Sequence, residues 1–327
     1  MKRKMTFALA AALVAASGAF AFIGAGHDGG GASLPPSSLA FVRDGQAVEW
    51  WRSADAPSSW RGPLRSLATA VRWHDEGPAV SWGELPLEGA GEAKHTRVIL
   101  VRIDPARVSF RLDAVTADGL APIGPHWSID AAPVRALVAV NAGQFNVGGA
   151  WGWMVRGGHE YQAARAAPLA PAIVIDVDGR VRIVEPGSID SAARSGRVAE
   201  AFQSYPLLLA GGVVPAQLRH GDAGVDVAHR DARLALGVLG DGHVILALTR
   251  FAGLGGKLQL LPLGLTTPEM AALMGALGCR DAVLLDGGVS GQLSIRDASG
   301  EVHRWPGLRR VPLGLVALPA AAAGSTS

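Results

Sequence analysis

Three short segments, far apart in the chain, carry residues whose types could do chemistry together. Leu285-Asp286-Gly287-Gly288-Val289-Ser290 follows the apolar run Ala282-Val283-Leu284 and is followed in turn by Gly291 and Gln292. A carboxylate at the end of a buried strand can act as an acid, a base or a cation stabiliser. The glycines behind it let a ligand or another backbone approach closely. The same pattern also fits an Asx turn that merely ends the strand. Arg230-Asp231-Ala232-Arg233 sets two planar, permanently charged forks close together, a geometry suited to phosphate or carboxylate. Two such groups repel unless an anion lies between them or each has its own carboxylate, and Asp226 and Asp231 are near enough in sequence to serve. Asn141-Ala142-Gly143-Gln144-Phe145 follows a second apolar run, Ala136 to Val140. Loops at strand ends are where sites are usually built.

The elements that must position these segments are mostly strands. Arg97 to Ile103 is β-branched and stops at Asp104-Pro105, and Val108 to Ala114 alternates as a half-buried strand does. The wholly apolar run Ala136 to Val140 predicts a central strand. Two hairpins are predicted around Asp-Gly turns. Ala172 to Ile175 and Val181 to Val184 flank Asp178-Gly179; Leu234 to Leu239 and Val244 to Leu248 flank Asp241-Gly242. Asp-Gly supplies the positive φ angles of tight hairpin turns. Helices are fewer. Pro268 to Leu277 has Thr267 as its expected N-cap, Pro268 at the first position and Gly278 beyond its end. A weaker helix is expected over about Ser188 to Arg197. No repeat of 20 to 50 residues occurs. The fold class predicted is α+β: twisted mixed β-sheets built largely from hairpins, with a few packed helices.

Asn-x-Gly-x-Phe, Arg-x-x-Arg-x-Ala-x-Gly and Leu-Asp-Gly-Gly-x-Ser, in that order, resemble the phosphodiester glycosidase family. Here they read Asn141 to Phe145, Arg230 to Gly237 and Leu285 to Ser290, and Gln203 to Leu209 resembles the family's stretch between the first two. The resemblance covers roughly residues 95 to 317. The pattern departs from the family at Ala142, Gln144, Leu234 and Val289, where the family usually has Gly, another residue, Thr and Gly respectively. The resemblance implies hydrolysis of a sugar-1-phosphodiester. On that reading Asp286, Arg230 and Arg233 are catalytic, the arginines holding the phosphate. Asn141, Gly143, Phe145, Gly287, Gly288, Ser290 and Gln292 contact substrate or support those that do. A second carboxylate could be Asp231 or Glu160. A non-catalytic envelope protein that binds glycan phosphates would use the same pocket.

The remaining sequence bounds these readings. The chain has 327 residues, 43 of them Gly, with 18% charged. Met1 to Lys4 is a positive n-region, Met5 to Ile23 is apolar and uncharged, and Ala19-Phe20-Ala21 fits signal-peptidase cleavage. Residues 1–26 are therefore expected to be a signal peptide or a membrane anchor, and the folded part to be exported, periplasmic or extracellular. Residues 27–38 form a Gly- and Pro-containing tether, 39–94 a Trp-rich N-terminal extension, and 95–320 the glycosidase-like domain. Without Lys2, Arg3 and Lys4 the formal charge falls from +2 to −1, and no basic stripe follows, so nucleic acid is not an expected partner. The expected partner is a glycan or sugar phosphate, and no pattern specifies an oligomer. No cofactor is expected: Gly253 to Lys257 lacks nucleotide-binding spacing. The histidines lack His-Glu-x-x-His spacing and Cys279 is the single cysteine, so no metal site is expected. Gly288-Val289-Ser290-Gly291-Gln292 fails the nucleophile-elbow pattern at its last position.

Overall fold

The computed structural model describes residues 34–320, except 90–92, 94, 115–125, 147–148, 222–224, 254–258 and 262. The export segment 1–26 and the tether up to residue 33 lie outside the described residues. A nine-stranded sheet dominates. Its strands run Leu207–Leu209, Cys279–Leu285, Leu234–Leu239, Val244–Phe251, Thr96–Ile103, Val80–Gly89, Ser38–Arg43 and Gln46–Arg52, with Arg72–Glu76 also paired to Val80–Gly89. The Trp-rich stretch is therefore not set apart as an extension. It supplies four strands to the same sheet that holds the site strands.

Two five-stranded sheets lie against it. One has the order His159–Gln162, Met154–Arg156, Val198–Gln203, Ala172–Asp176, Val181–Val184. The other has the order Val302–Trp305, Leu293–Arg296, Val138–Asn141, Gly314–Pro319, Val108–Asp113. The α+β class holds. The sheets are not mixed, however: every pairing between named strands is antiparallel. Parallel neighbours need long crossovers, and most connections here are short. The helix Thr267–Ala276 makes one crossover, from Val244–Phe251 to Cys279–Leu285, and the strand Leu234–Leu239 lies between those two.

The strand Thr96–Ile103 shows why its middle, Val98 to Val101, is wholly apolar. Val98 and Leu100 point into one core with the helix residues Met270, Leu273 and Met274. Ile99, Val101 and Ile103 point into a second core with Phe110, Val140, Ile173 and Leu315 from the two smaller sheets. Period-two alternation thus feeds two cores, and from Val98 to Val101 neither face of the strand meets water, while Arg97 and Arg102 reach solvent near its ends. Each such fully buried Val, Leu or Ile contributes roughly 1.5–3 kcal/mol.

The helix Thr267–Ala276 is buried on every side, as an all-round apolar helix must be. Its cap is one residue earlier than expected. Thr266 accepts from the Glu269 N–H, and the Glu269 carboxylate accepts from the Thr266 N–H, a complete capping box. The expected helix near Ser188 is a 3-10 turn followed by Ile189–Ala193. At the two predicted Asp-Gly turns only the glycines, Gly179 and Gly242, take positive φ, whereas both Asp44 and Gly45 do so in the turn between Ser38–Arg43 and Gln46–Arg52.

Gly314 lies opposite Asn141 in its sheet, beneath the wholly buried Trp127 ring. A Cβ there would sit 2.1 Å from Trp127 Cε2. Trp127 is pinned because its indole N–H donates to Asp113 at 2.8 Å. Gly314→Ala is expected to cost about 3 kcal/mol of overpacking, read as a lower urea midpoint. An unchanged midpoint would show that the indole can move aside.

Candidate active site

Asp286 is the first residue beyond the strand Cys279–Leu285. The neighbouring strand starts just after Arg233, with Leu234 opposite Leu285. That register forces Asp231 to Arg233 and Asp286 to Gly288 side by side at one end of the sheet. The approach is backbone on backbone. The Gly288 N–H donates to the Ala232 carbonyl at 2.6 Å. A Cβ on Gly287 would lie 2.4 Å from that carbonyl, and one on Gly288 would lie 2.8 Å from Asp231 Oδ2. Gly288 also has φ +56. Both glycines thus permit the contact, as their spacing implied.

The third segment arrives from a different sheet. Asn141 ends the strand Val138–Asn141 and is wholly buried. Its Nδ2 donates to the Asp286 carbonyl at 2.7 Å, and its Oδ1 accepts from the Gln292 N–H at 2.8 Å. Gln292 is buried as well. Its Oε1 accepts from the Ile129 N–H at 3.0 Å, and its Nε2 donates to the Ser290 and Arg309 carbonyls. The sequence reading set Asn141 against substrate and Gln292 either there or in support; the structure turns both inward, where they fix the backbone on either side of the Asp286 loop. Gly143, with φ +66, brings its chain against Gln203. Ser290 is buried within the same loop. Asp286, Gly287, Gly288, Asp231 and Arg233 are half-buried, and His229 is exposed, so the cluster opens to solvent.

Charge is concentrated here. Burial pushes the Asp286 carboxyl up to about 7; Asp231 pushes in the same direction, while the Ser290 hydroxyl and Arg309 oppose. Among the described residues, Asp286 Oδ2 has no hydrogen-bond partner. Burial likewise raises Asp231, against the pull of Arg233, the Ala232 N–H and His229. His229 Nε2 lies 3.8 Å from Asp231 Oδ2. The open choice of second carboxylate is thereby narrowed. Asp231 lies in the field of Asp286, whereas Glu160 accepts from the Trp153 indole on a different sheet.

The two predicted arginines part company. Arg230 is not free to clamp a phosphate. Its Nη2 donates to Glu269 Oε1 at 2.7 Å, its Nη1 donates to Oε2, and Glu269 has no exposure at all. Arg233 donates from Nε to the Leu265 carbonyl at 2.9 Å and from Nη2 to the His229 carbonyl at 2.6 Å. Burial pushes its guanidinium pKa down, with Asp231 opposing. Among the described residues it has no ion pair, so its charge is available to the site.

Two cations escaped sequence reasoning. Arg250 is 2% exposed and donates to the Gly291 and Pro306 carbonyls beneath the Asp286 loop. Its burial, next to the like charge of Arg97, pushes it down to about 10. Arg309 is exposed and lies over the Phe145 ring, 4.7 Å from its centroid. Neither sits in a motif: Arg250 lies in the strand Val244–Phe251 and reaches loop carbonyls brought to it by the fold, and Arg309 lies in a loop. Ser290 has no histidine partner among the described residues, and burial pushes the Cys279 thiol upward, which suits a core residue. Among the described residues, one group has metal-ligand spacing: Asp297, Glu301 and His303, none of them in this cluster. Asp297 already accepts from Ser299, the Glu301 N–H and His303, which hold it down to about 2.

A family model described as phosphodiester glycosidase matches residues 135–318, a span that contains Asn141, Asp231, Arg233, Asp286 and Arg309. No curated protein sequence matches the chain. Among solved structures, the fold is similar to the catalytic domain of zebrafish N-acetylglucosamine-1-phosphodiester alpha-N-acetylglucosaminidase, auto-inhibited by its pro-peptide, with TM-score 0.55 and 16% identity over 82% of this chain and 96% of that one. A hypothetical protein from Synechocystis is similar with TM-score 0.50 and 15% identity, over 86% of this chain and 67% of that one. At these identities the likeness concerns the fold.

Proposed function

The chain belongs to the phosphodiester glycosidase family, and on that premise we propose that it hydrolyses a sugar-1-phosphodiester in an envelope or extracellular glycan, with Asp286 as its central catalytic group. The observation that carries this reading is the juxtaposition of Asp286 and Asp231 at two strand ends, with Arg233 and Arg309 beside them. Glycoside cleavage passes through an oxocarbenium-like state flanked by carboxylates. The bond between the anomeric carbon and the phosphate oxygen breaks, and its electron pair leaves on phosphate. That leaving group is stable as an anion, so it calls for positive charge more than for a proton. Asp286, as the ionised base, stabilises the cationic sugar and takes the proton of the incoming water. Burial, with Asp231 as a smaller contributor, keeps the Asp286 proton affinity near the working pH, and Asp231 adds negative charge beside the anomeric centre. The products are a free reducing sugar and a phosphomonoester. The exported setting rests on residues 1–26; among the described residues no helix is long and apolar enough to cross a membrane.

The test is to incubate the purified protein with a panel of sugar-1-phosphodiesters and measure reducing sugar and phosphomonoester together. Equimolar release from at least one substrate is expected. The rate should depend on pH with a definite sign. The ionised form of Asp286 is the active one, so kcat/KM rises about tenfold per unit below pH 7 and levels off above it. Binding without release across the panel would reduce the protein to a glycan-phosphate-binding module.

A further inference from the structure

Arg309 has a placement that its sequence context does not explain. Its side chain lies face-on to Phe145, at 4.7 Å from the ring centroid. Its carbonyl accepts from Gln292 Nε2 at 3.3 Å. Both supports lead back to one knot. Gln292 donates its N–H to Asn141, Asn141 donates to the Asp286 carbonyl, and Phe145 lies four residues beyond Asn141. The preceding residue, Leu308, is tied to the same loop through the Val289 carbonyl at 2.8 Å. An exposed side chain with no ion pair among the described residues is thus fixed, front and back, to the backbone that carries the catalytic carboxylate. Stacking on an aromatic face orients a guanidinium while leaving its N–H edge free to donate.

We propose that Arg309, oriented by Phe145, is the residue that binds the substrate phosphate. This rests on the hydrolytic reading above and names the group that recognises its anion. The assignment moves the phosphate clamp away from Arg230, whose fork Glu269 fills. It puts the clamp on a residue that can meet an incoming ligand without first breaking an internal pair. Phe145 then acts as a positioning residue, not as a sugar platform. Arg233, held by two carbonyls, adds fixed positive charge beside Asp231. Two cations facing two carboxylates suit a substrate that is anionic on one side of the scissile bond and cationic, in the transition state, on the other.

The experiment uses the full protein and inorganic phosphate as the probe, with affinity measured by titration calorimetry. Arg309→Met is expected to weaken phosphate binding by about tenfold or more, Arg309→Lys to recover part of the loss, and Phe145→Leu to fall between them. In parallel, kcat/KM is compared on a sugar-1-phosphodiester and on a 4-nitrophenyl glycoside of the same sugar, which lacks phosphate. Arg309→Met should lose about a hundredfold on the phosphodiester and only a few-fold on the neutral glycoside. Equal losses on both, or unchanged phosphate affinity in a folded Arg309→Met protein, overturn the assignment. So does a wild-type protein that does not bind phosphate. If Arg309→Met weakens phosphate binding but the wild type cleaves no sugar phosphodiester, the anion site stands and the hydrolytic reading falls.

Discussion

Asp286→Asn is expected to lose about a thousandfold in kcat on a sugar-1-phosphodiester while making the protein harder to unfold above pH 7. The two effects share one cause. The carboxylate sits in a place that penalises its charge, with one oxygen unpartnered and Asp231 close by. Its folded pKa of about 7 lies above the ordinary carboxylate value, so below that ordinary value the group is protonated in both states and costs nothing. As pH rises from there to 7, the unfolded chain releases the proton and the folded chain retains it. Stability therefore falls across that window and stays low above it. Asn keeps the shape and removes the charge. At pH 8 the variant gains up to about 4 kcal/mol, the linkage ceiling for a shift of this size; at pH 3 it gains about nothing. Urea midpoints of the two proteins at the two pH values decide the matter. A variant no more stable than wild type at pH 8, or retained turnover, would remove Asp286 from the centre of the site. Such an exchange of stability for function is what a preorganised site implies.

The site was legible to the degree that it depends on local chemistry. The glycines after Asp286 advertise a close backbone approach, and the register that brings Arg233 beside it follows from two apolar strands with nothing polar to face. The Asp-Gly hairpins and the long helix could be read for the same reason. What could not be read depends on partners far away in sequence. Arg230 looks like an anion clamp until Glu269, thirty-nine residues on, is found beneath it. Asn141 and Gln292 look like sugar ligands, since their amides could face in or out, and only the packing of two sheets shows that they face in. Arg309 sits in a turn-rich stretch without periodicity, so only the stack on Phe145 reveals it. The Trp-rich stretch resisted because its strands pair mostly with one another, and only Val80–Gly89 takes its register from the Thr96–Ile103 strand.

Glu269 carries the second large expectation, and it concerns stability. Its buried carboxylate serves two masters: the Arg230 guanidinium, which holds it from both nitrogens, and the Thr266 N–H at the helix start. Glu269→Ala strands a guanidinium that is only 16% exposed and also opens the capping box. Breaking one side of a buried pair costs roughly 3–5 kcal/mol, and the lost cap about 1 more. Arg230→Met should cost a similar amount, because it leaves the Glu269 charge buried and alone. Combining Arg230→Met with Glu269→Gln should cost less than the sum of the single changes, since neither charge is then left without its partner. Turnover separates this from a catalytic role. The folded fraction of Arg230→Met should keep kcat on a sugar-1-phosphodiester within about tenfold of wild type, whereas a lost phosphate ligand would cost far more. If instead Arg230→Met proves as stable as the parent and inactive, Arg230 belongs in the clamp and the buried pair is incidental. The helix that this pair anchors packs directly against the strand that leads into Asp286. The same pair thus underlies the geometry on which the carboxylate depends, and its loss should appear first as unfolding.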